Sequence, residues 1–453
     1  MAKVLSLYTG ATLTLNLLTG DALVRSQGWQ PQIGGAEDGI VWDTFEIVGR
    51  ASTNALYLAA LYNIQKFITD ARDYHTNPSL EDPCWIYFRA EGGEEVRALV
   101  FDGNLEMPGE GKMGAFLDNA GAGVARLALA RSYWWERTSA LTVSTSAVSN
   151  MGGEWAPTVT SGNLPGRIRT LKITGNASNN IDDVWVGVKP TYEGTASFNP
   201  LWEAESGTNG TDAADAVDAS ASGGNRVTVS FATSSAMVER FRISVSQILG
   251  SNYTHMIGSY TVLGRVKSSS AVTSSQRFLI RTYQGLLTGE TELTGETAFT
   301  PDTTTWRLVE LGYFRVPPTG YRFAESTGSA LWCKDATLYI YAQRLSGTAS
   351  LYFDCLILIP TEPVLTIKTG GMNAAADYTQ FYSSPAGDTT AVVYDAATTS
   401  YSTREHTPGG PLVWPIDGGV LVYASQQAVD SKLSYTSDFE ITYYPRYSIY
   451  RIT

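Results

Sequence analysis

One stretch of helical periodicity, roughly Thr53 to Asp73, stands in a chain that otherwise reads as short strands separated by turns. Leu58, Leu61, Ile64, Ile68 and Ala71 recur at steps of three or four, which puts them on one helical face. Thr53 or Asn54 offers an N-cap, since either side chain accepts a hydrogen bond from an unpaired amide of the first turn. Strand patterns flank the helix: Leu13, Leu15 and Leu17 alternate with Thr12, Thr14 and Asn16, and Asp43 to Val48 reads as a second strand. A lone helix between strands must cover a sheet rather than join a bundle. The rest of the chain continues in β patterns, so the reading is a scaffold of β domains rather than a metabolic enzyme.

A chain of 453 residues forms about two to four domains. Hydrophobic residues make up 43% of it, enough for real cores, while only 17% is charged and Gly is abundant. That balance suits all-β domains with many turns. The formal charge of -12, the pI near 4.9 and the lack of any basic run argue against a nucleic-acid partner. The longest aliphatic run, Leu356 to Ile359, is far too short to span a bilayer, so no membrane insertion is expected. Met1 to Gly10 carries one lysine and no sustained apolar core, which reads as a soluble protein made in a cytoplasm rather than a secreted one. Cys84, Cys333 and Cys355 are too few for a disulfide framework and read as buried thiols; a pairing of Cys333 with Cys355 across neighbouring strands stays open.

Cys84–Arg89 and Val96–Phe101 form a predicted hairpin around Glu91-Gly92-Gly93-Glu94, and Gly109–Gly123 is a glycine-rich loop. A strand at Val124–Ala130 and the closure Tyr133-Trp134-Trp135-Glu136 complete a first α+β unit, residues 1–137. Arg167–Thr174 and Val184–Val188 are strands with a turn between them at Gly175–Asn180. After Asn199-Pro200 the texture changes, and about eight further strands up to Leu351–Ile359 fit a jelly-roll sandwich over 200–362. The last strands, Val364–Lys368, Thr390–Tyr394, Gly419–Tyr423 and Phe439–Tyr444, make a thin domain alone and a full sandwich with the earlier ones. Residues 138–199 plus 363–453 are therefore one split β domain, with 200–362 inserted at a surface loop and expected to contribute little to its host's core.

This order of units resembles the siphophage distal tail (baseplate hub) proteins. The stretch Arg126 to Glu136 looks like the end of their ring-forming domain, the split domain resembles their galectin-like second domain, and Phe439 to Tyr447 is similar to the last strand of many phage tail proteins. The inserted unit resembles a carbohydrate-binding module, with Trp202-Glu203-Ala204-Glu205 at its entry and Tyr352-Phe353-Asp354 in its last strand. The implied fold is mainly β: an N-terminal α+β split-barrel domain with one helix, and a galectin-like β-sandwich interrupted by an inserted jelly roll. The implied role is a hexameric ring joining the tail tube to tail tip proteins in the virion.

The resemblance also implies site residues. In modules of this kind an acidic residue on the first strand and an Asp on the last meet at a calcium ion, and Glu203, Glu205 and Asp354 match those positions; the competing reading is solvated strand-end carboxylates. Aromatic faces that stack on a host cell-surface saccharide would come from Tyr283, Trp306, Tyr313 and Trp332, with Tyr339 also available, against the alternative that each is core. Tyr57, Tyr62 and Phe67 lie off the helix stripe chosen above and are the candidates for oligomer contact.

No catalytic constellation emerges. His75, His255 and His406 fall in different units, no Ser sits in a nucleophile-elbow context, and Asp182-Asp183 read as turn residues. The expectation is a non-enzymatic structural virion component with an accessory saccharide-binding module. The alternative is a stand-alone carbohydrate-binding adhesin that assembles no ring.

Overall fold

The computed structural model describes residues 4–19, 22–24, 39–49, 53–78, 80–106, 124–159, 162–175, 181–190, 199–249, 255–270, 276–287, 290–301, 304–318, 322–326, 329–332, 335–361, 364–372, 376–406, 412–416, 418–427 and 435–448. The chain is mainly β, built of several antiparallel sheets of which none closes into a barrel among the described residues. The loop expected at Gly109–Gly123, Cys333, and all but Gly175 of the turn expected at Gly175–Asn180 lie outside the described residues.

The helix spans Asn54–Thr76, and Thr53 is its N-cap: the hydroxyl accepts from the Leu56 amide at 3.3 Å. Its buried stripe runs Tyr57, Ala60, Leu61, Ile64, Phe67, Ile68, Ala71 and Tyr74, a helical repeat in steps of three or four in which Ala60 with Leu61 and Phe67 with Ile68 are neighbours on the same face. Most of this stripe packs with Leu5, Leu7, Phe45, Ile47 and Ile86 of the strands beneath. Gly103 allows the close approach, since a Cβ there would lie 2.9 Å from the Ala128 carbonyl and 3.0 Å from Ile68. Strand Ile40–Gly49 shows why such segments are strands: Val41, Phe45 and Ile47 are buried while Trp42, Thr44 and Glu46 are exposed.

The short strand Trp135–Arg137 joins this unit to the next. It pairs with Val96–Glu106 on one side and with the last strand, Thr436–Tyr447, on the other, so the sheet runs on through both units. Beyond the junction the same sheet contains Leu164–Thr174, Tyr378–Ser383, Thr389–Asp395 and Ser400–Arg404, with Leu141–Ser149 beside Thr436–Tyr447. A four-stranded sheet faces it, in the order Gly153–Trp155, Gly419–Gln427, Ile181–Pro190, Val364–Met372. Val184, Val186, Leu421 and Tyr423 of the four-stranded sheet meet Ile168, Ile173, Phe439 and Ile441 in one core.

Between Ile181–Pro190 and Val364–Met372 the chain makes a second sandwich. Its inner sheet holds Ala213–Val217, Asn225–Val229, Leu351–Pro360, Gly258–Ser268 and Arg307–Val316, with Leu201–Glu203 paired on Leu351–Pro360. Its outer sheet holds Thr208–Asn209, Val238–Ser244, Thr337–Ser346, Arg277–Leu287 and Glu290–Phe299.

The inner sheet is covered on both faces. In Ile181–Pro190 and Gly419–Gln427 the residues between the core positions, Trp185, Val420, Val422 and Ala424, join Leu356, Ile357, Leu358 and Ile359 in a single core. Gly187 leaves no room for a Cβ against the Pro360 carbonyl, and Gln426 Oε1 accepts from the Leu308 amide at 2.6 Å. This explains why Leu351–Pro360 is a nearly continuous apolar run. It also corrects the expectation that the insertion adds little to its host. The sheets form a stack, and the outer sheet of the second sandwich is its last layer.

Candidate functional site: a tyrosine face and a carboxylate cluster

On the outer sheet, strand Thr337–Ser346 turns Leu338, Ile340 and Ala342 inward, which sends Tyr339 and Tyr341 to the opposite face. Strand Arg277–Leu287 likewise buries Phe278, Ile280 and Thr282 and turns Arg281 and Tyr283 outward. The register sets Tyr283 opposite Tyr339 and Arg281 opposite Tyr341. The rings of Tyr283 and Tyr341 lie 4.7 Å apart at 59°, and the Arg242 guanidinium is 5.9 Å from the Tyr339 ring centre. Tyr339 also lies over Gly285, where a Cβ would come within 2.6 Å of the ring. Arg281 pairs with Glu296, so cation, carboxylate and phenol hydroxyls border three rings that share one half-exposed face. Such a face offers π surface to the C–H side of a pyranose and hydrogen-bonding groups to its hydroxyls.

The structure brings together two of the aromatic residues singled out from sequence, Tyr283 and Tyr339. Trp306 is corrected: it is 1% exposed, its indole N–H donates to Ser220 Oγ at 3.0 Å, and Lys267 Nζ sits 4.1 Å over its ring. Its ring is occupied by the protein itself, leaving no face for a ligand. Tyr313 is 56% exposed but belongs to the inner sheet, on a different strand pair from Tyr283. The side chain of Trp332 lies outside the described residues. Tyr341 was missed, although the alternation Leu338-Tyr339-Ile340-Tyr341-Ala342 carries the signal once the aliphatic positions are placed inside.

Glu203, Glu205 and Asp354 converge around the loop Ser222–Gly224. Glu203 Oε1 accepts from Ser222 Oγ at 2.5 Å, and Asp354 Oδ1 accepts from the Ser222 amide at 2.6 Å. Gly223, at φ +63°, sits against both glutamates; a Cβ there would lie 3.2 Å from Glu205 Oε1 and 3.5 Å from Glu203 Oε1. Burial pushes the Glu203 carboxyl up to about 7; the charges of Asp354 and Glu205 add to the rise and the Ser222 hydroxyl opposes it. Burial raises Glu205 as well.

Two oxygens in this cluster, Glu203 Oε2 and Glu205 Oε2, are buried and have no hydrogen-bond partner. Orphaned carboxylate oxygens of this kind fit a hard cation such as calcium. Asp354 does not fit as a ligand, which corrects the three-carboxylate expectation: its second oxygen is paired with the Arg265 guanidinium. Among the described residues no group of three or more His, Cys, Asp or Glu is placed to hold a metal ion. A calcium ion would be held by Glu203 and Glu205, with Asp354 neutralised beside it.

Of the oligomer candidates, Tyr57 and Phe67 are corrected, since both belong to the buried helix stripe. Tyr57 is four residues before Leu61 and Phe67 four before Ala71, so the sheet beneath takes them up. Tyr62 points away and is 69% exposed.

No protein-family model matches the chain. No curated protein matches it. Solved structures give faint likenesses. One is the N-terminal CBM22-1–CBM22-2 tandem domain of Paenibacillus barcinonensis Xyn10C, with 11% identity, 59% of this chain and 97% of that one covered, and a TM-score of 0.21. Another is a carbohydrate esterase from the Shiga toxin-encoding bacteriophage phi24B, with 10% identity, 55% and 90% covered, and a TM-score of 0.15. A third is infectious bursal disease virus, Gt strain, with 9% identity, 68% and 80% covered, and a TM-score of 0.18. At TM-scores this low they establish no family for the chain.

Proposed function

We propose that the chain is a non-catalytic structural component of a phage tail tip or baseplate, made in the host cytoplasm and carried in the virion. Residues 1–137 assemble as a homo-oligomeric ring, six copies around, between tail tube and tail tip proteins. Residues 138–199 plus 363–453 form a galectin-like sandwich on that ring. The inserted residues 200–362 present a saccharide-binding face to the host surface, with calcium at Glu203 and Glu205 bracing the entry to the insert.

The observation that carries this reading is the place of the tyrosine face. Tyr283, Tyr339 and Tyr341 occupy the outward side of the outermost sheet in a stack whose other layers are locked together by shared cores. That construction suits a rigid arm that displays a binding surface. Weak single sites suffice on a ring, because tethering makes later contacts intramolecular. Tyr62 on the helix supplies an exposed aromatic for the ring contact.

The test is a glycan array probed with the full chain and with the Tyr283→Ala/Tyr339→Ala variant. Binding lost in the variant, with circular dichroism unchanged, supports the reading. No binding by the full chain in multivalent form leaves the insert as a spacer. The adhesin reading shares the same tyrosine face and is separated by mass, since it requires no ring.

A further inference from the structure

Where the first unit meets the split sandwich there is a cleft of about 700 Å³, lined among others by Trp85, Tyr87, Arg97, Arg167, Arg169 and Tyr382. No residue of the insert lines it. Beneath it lies an unbalanced set of charges. Arg97 Nη2 and Arg167 Nη2 donate to Glu136 Oε1 at 2.9 and 2.8 Å, and Arg446 Nε lies 3.7 Å from Glu136 Oε2. The three arginine side chains are only 12%, 2% and 14% exposed, and Glu136 is wholly buried. Three guanidiniums thus share one carboxylate away from water, and Arg446 Nε is buried with no hydrogen-bond partner. A fourth, Arg169, stands exposed on the cleft wall with the Tyr444 hydroxyl at 3.3 Å as its hydrogen-bond partner. The acidic groups on the lining, Asp82 and Asp388, are exposed. Their charge is screened by water, whereas the buried excess beneath the floor is not.

We propose that this cleft binds a small acidic saccharide, one that carries a carboxylate or phosphate on a sugar ring. Arg169 meets the anion directly at the wall, while Arg97 and Arg167, whose guanidinium nitrogens already donate to Glu136, Tyr87 and Ser383, add their charge from the floor. The volume suits one or two sugar rings. Tyr382, partly exposed with its hydroxyl donating to Gln380 Oε1 at 2.9 Å, and the hydroxyls of Ser384 and Thr390 supply a wall for the ring. The site is separate from the tyrosine face of the insert and does not depend on it.

The experiment is isothermal titration of the full chain with glucuronate, glucose 6-phosphate, glucose and inorganic phosphate, at low and high salt. The two acidic sugars are expected to bind, glucose not to bind, and affinity to fall with salt. Arg169→Gln is expected to weaken both acidic sugars about tenfold or more, with an unchanged melting curve, because Arg169 is exposed and takes no part in the buried cluster. Which of the two acidic sugars binds more tightly identifies the anion. Equal binding of glucose, an unaffected Arg169→Gln, or no binding by either acidic sugar would overturn the proposal. Phosphate binding as tightly as glucose 6-phosphate would also overturn it, since the sugar ring would then contribute nothing. An acidic peptide that binds where the sugars fail would assign the cleft to a protein partner instead.

Discussion

Glu136 and Arg167 lie in different units of the chain and are joined by two bonds, Arg167 Nη2 to Glu136 Oε1 at 2.8 Å and Arg167 Nε to Oε2 at 3.1 Å. Glu136 closes the first unit, at the strand that carries the sheet across the junction, and Arg167 lies on strand Leu164–Thr174 of the split sandwich, opposite Tyr444. The relative position of the two units is thus held by a buried ion pair as well as by a continuous sheet.

Replacing Glu136 by Gln leaves three buried guanidiniums without a counter-charge. A loss of about 3–5 kcal/mol in unfolding free energy is expected, the cost of breaking a buried pair from one side. Burial alone would raise the Glu136 carboxyl, but Arg167, Arg97 and Arg446 together hold it below its usual range. Its contribution is therefore present above the unfolded carboxyl value of about 4.3 and is lost as pH falls through the lower folded value. Urea unfolding of the wild type and Glu136→Gln between pH 3 and pH 7 measures both effects. The difference between them should shrink at the acid end.

Glu203 of the insert titrates in the opposite sense. With Glu203 pushed up to about 7, the folded protein holds a proton there that the unfolded chain releases above about 4.3. That part of the stability is present below the unfolded value and fades as pH rises toward 7. Calcium competes with the same proton, so its stabilising effect should be larger at pH 8 than at pH 5.5. Thermal melts of the full chain with calcium and with chelator at the two pH values check this. Glu203→Gln should abolish the calcium response. Asp354→Ala should lower the melting temperature with or without calcium, because it removes the buried carboxylate that neutralises Arg265.

The aromatic residues of the insert divide into two kinds. Tyr339→Ala and Tyr341→Ala should cost about 1 kcal/mol or less and remove saccharide binding. Trp306→Ala should cost about 3–5 kcal/mol, because it empties a buried site. Denaturant unfolding of the three variants separates them.

Deleting 201–362 and bridging the gap with a Gly/Ser linker should give an aggregating product instead of the soluble assembly that the full chain forms. The deletion uncovers Trp185, Val420, Val422 and Ala424, which now face Leu356 and its neighbours. Size-exclusion chromatography and dye binding to exposed apolar surface would detect the change. A well-behaved product would mean that the core shared by the two sandwiches contributes little.

Much of the architecture could be read from alternation. The hairpin Cys84–Arg89 with Val96–Glu106 and the strand Leu351–Pro360 lie where apolar spacing puts them, because the period of a strand depends only on which face is buried. The helix was legible but its stripe was drawn too narrowly, so Tyr57 and Phe67 fell outside although both obey the same spacing. The aromatic side chains were harder. Trp306 and Tyr283 sit in similar local patterns, and only the partners brought by distant strands, Ser220 and Lys267 for one and Tyr339 for the other, decide which is covered. The same holds for Asp354. Its place on the last strand of the insert was readable, but Arg265, which neutralises it, comes from another strand of the sheet. The burial of the inner sheet on both faces was also out of reach, since a continuous apolar run does not say what covers it.

The ring is the central claim, and the mass of the native full chain tests it most directly. Native mass spectrometry at micromolar concentration should show a species of about 294 kDa, six copies of the 49.0 kDa chain. Tyr62→Ala should shift that population toward smaller species while leaving the fold intact. A single species at 49.0 kDa across the micromolar range, unchanged by Tyr62→Ala, would contradict the account and favour the stand-alone adhesin.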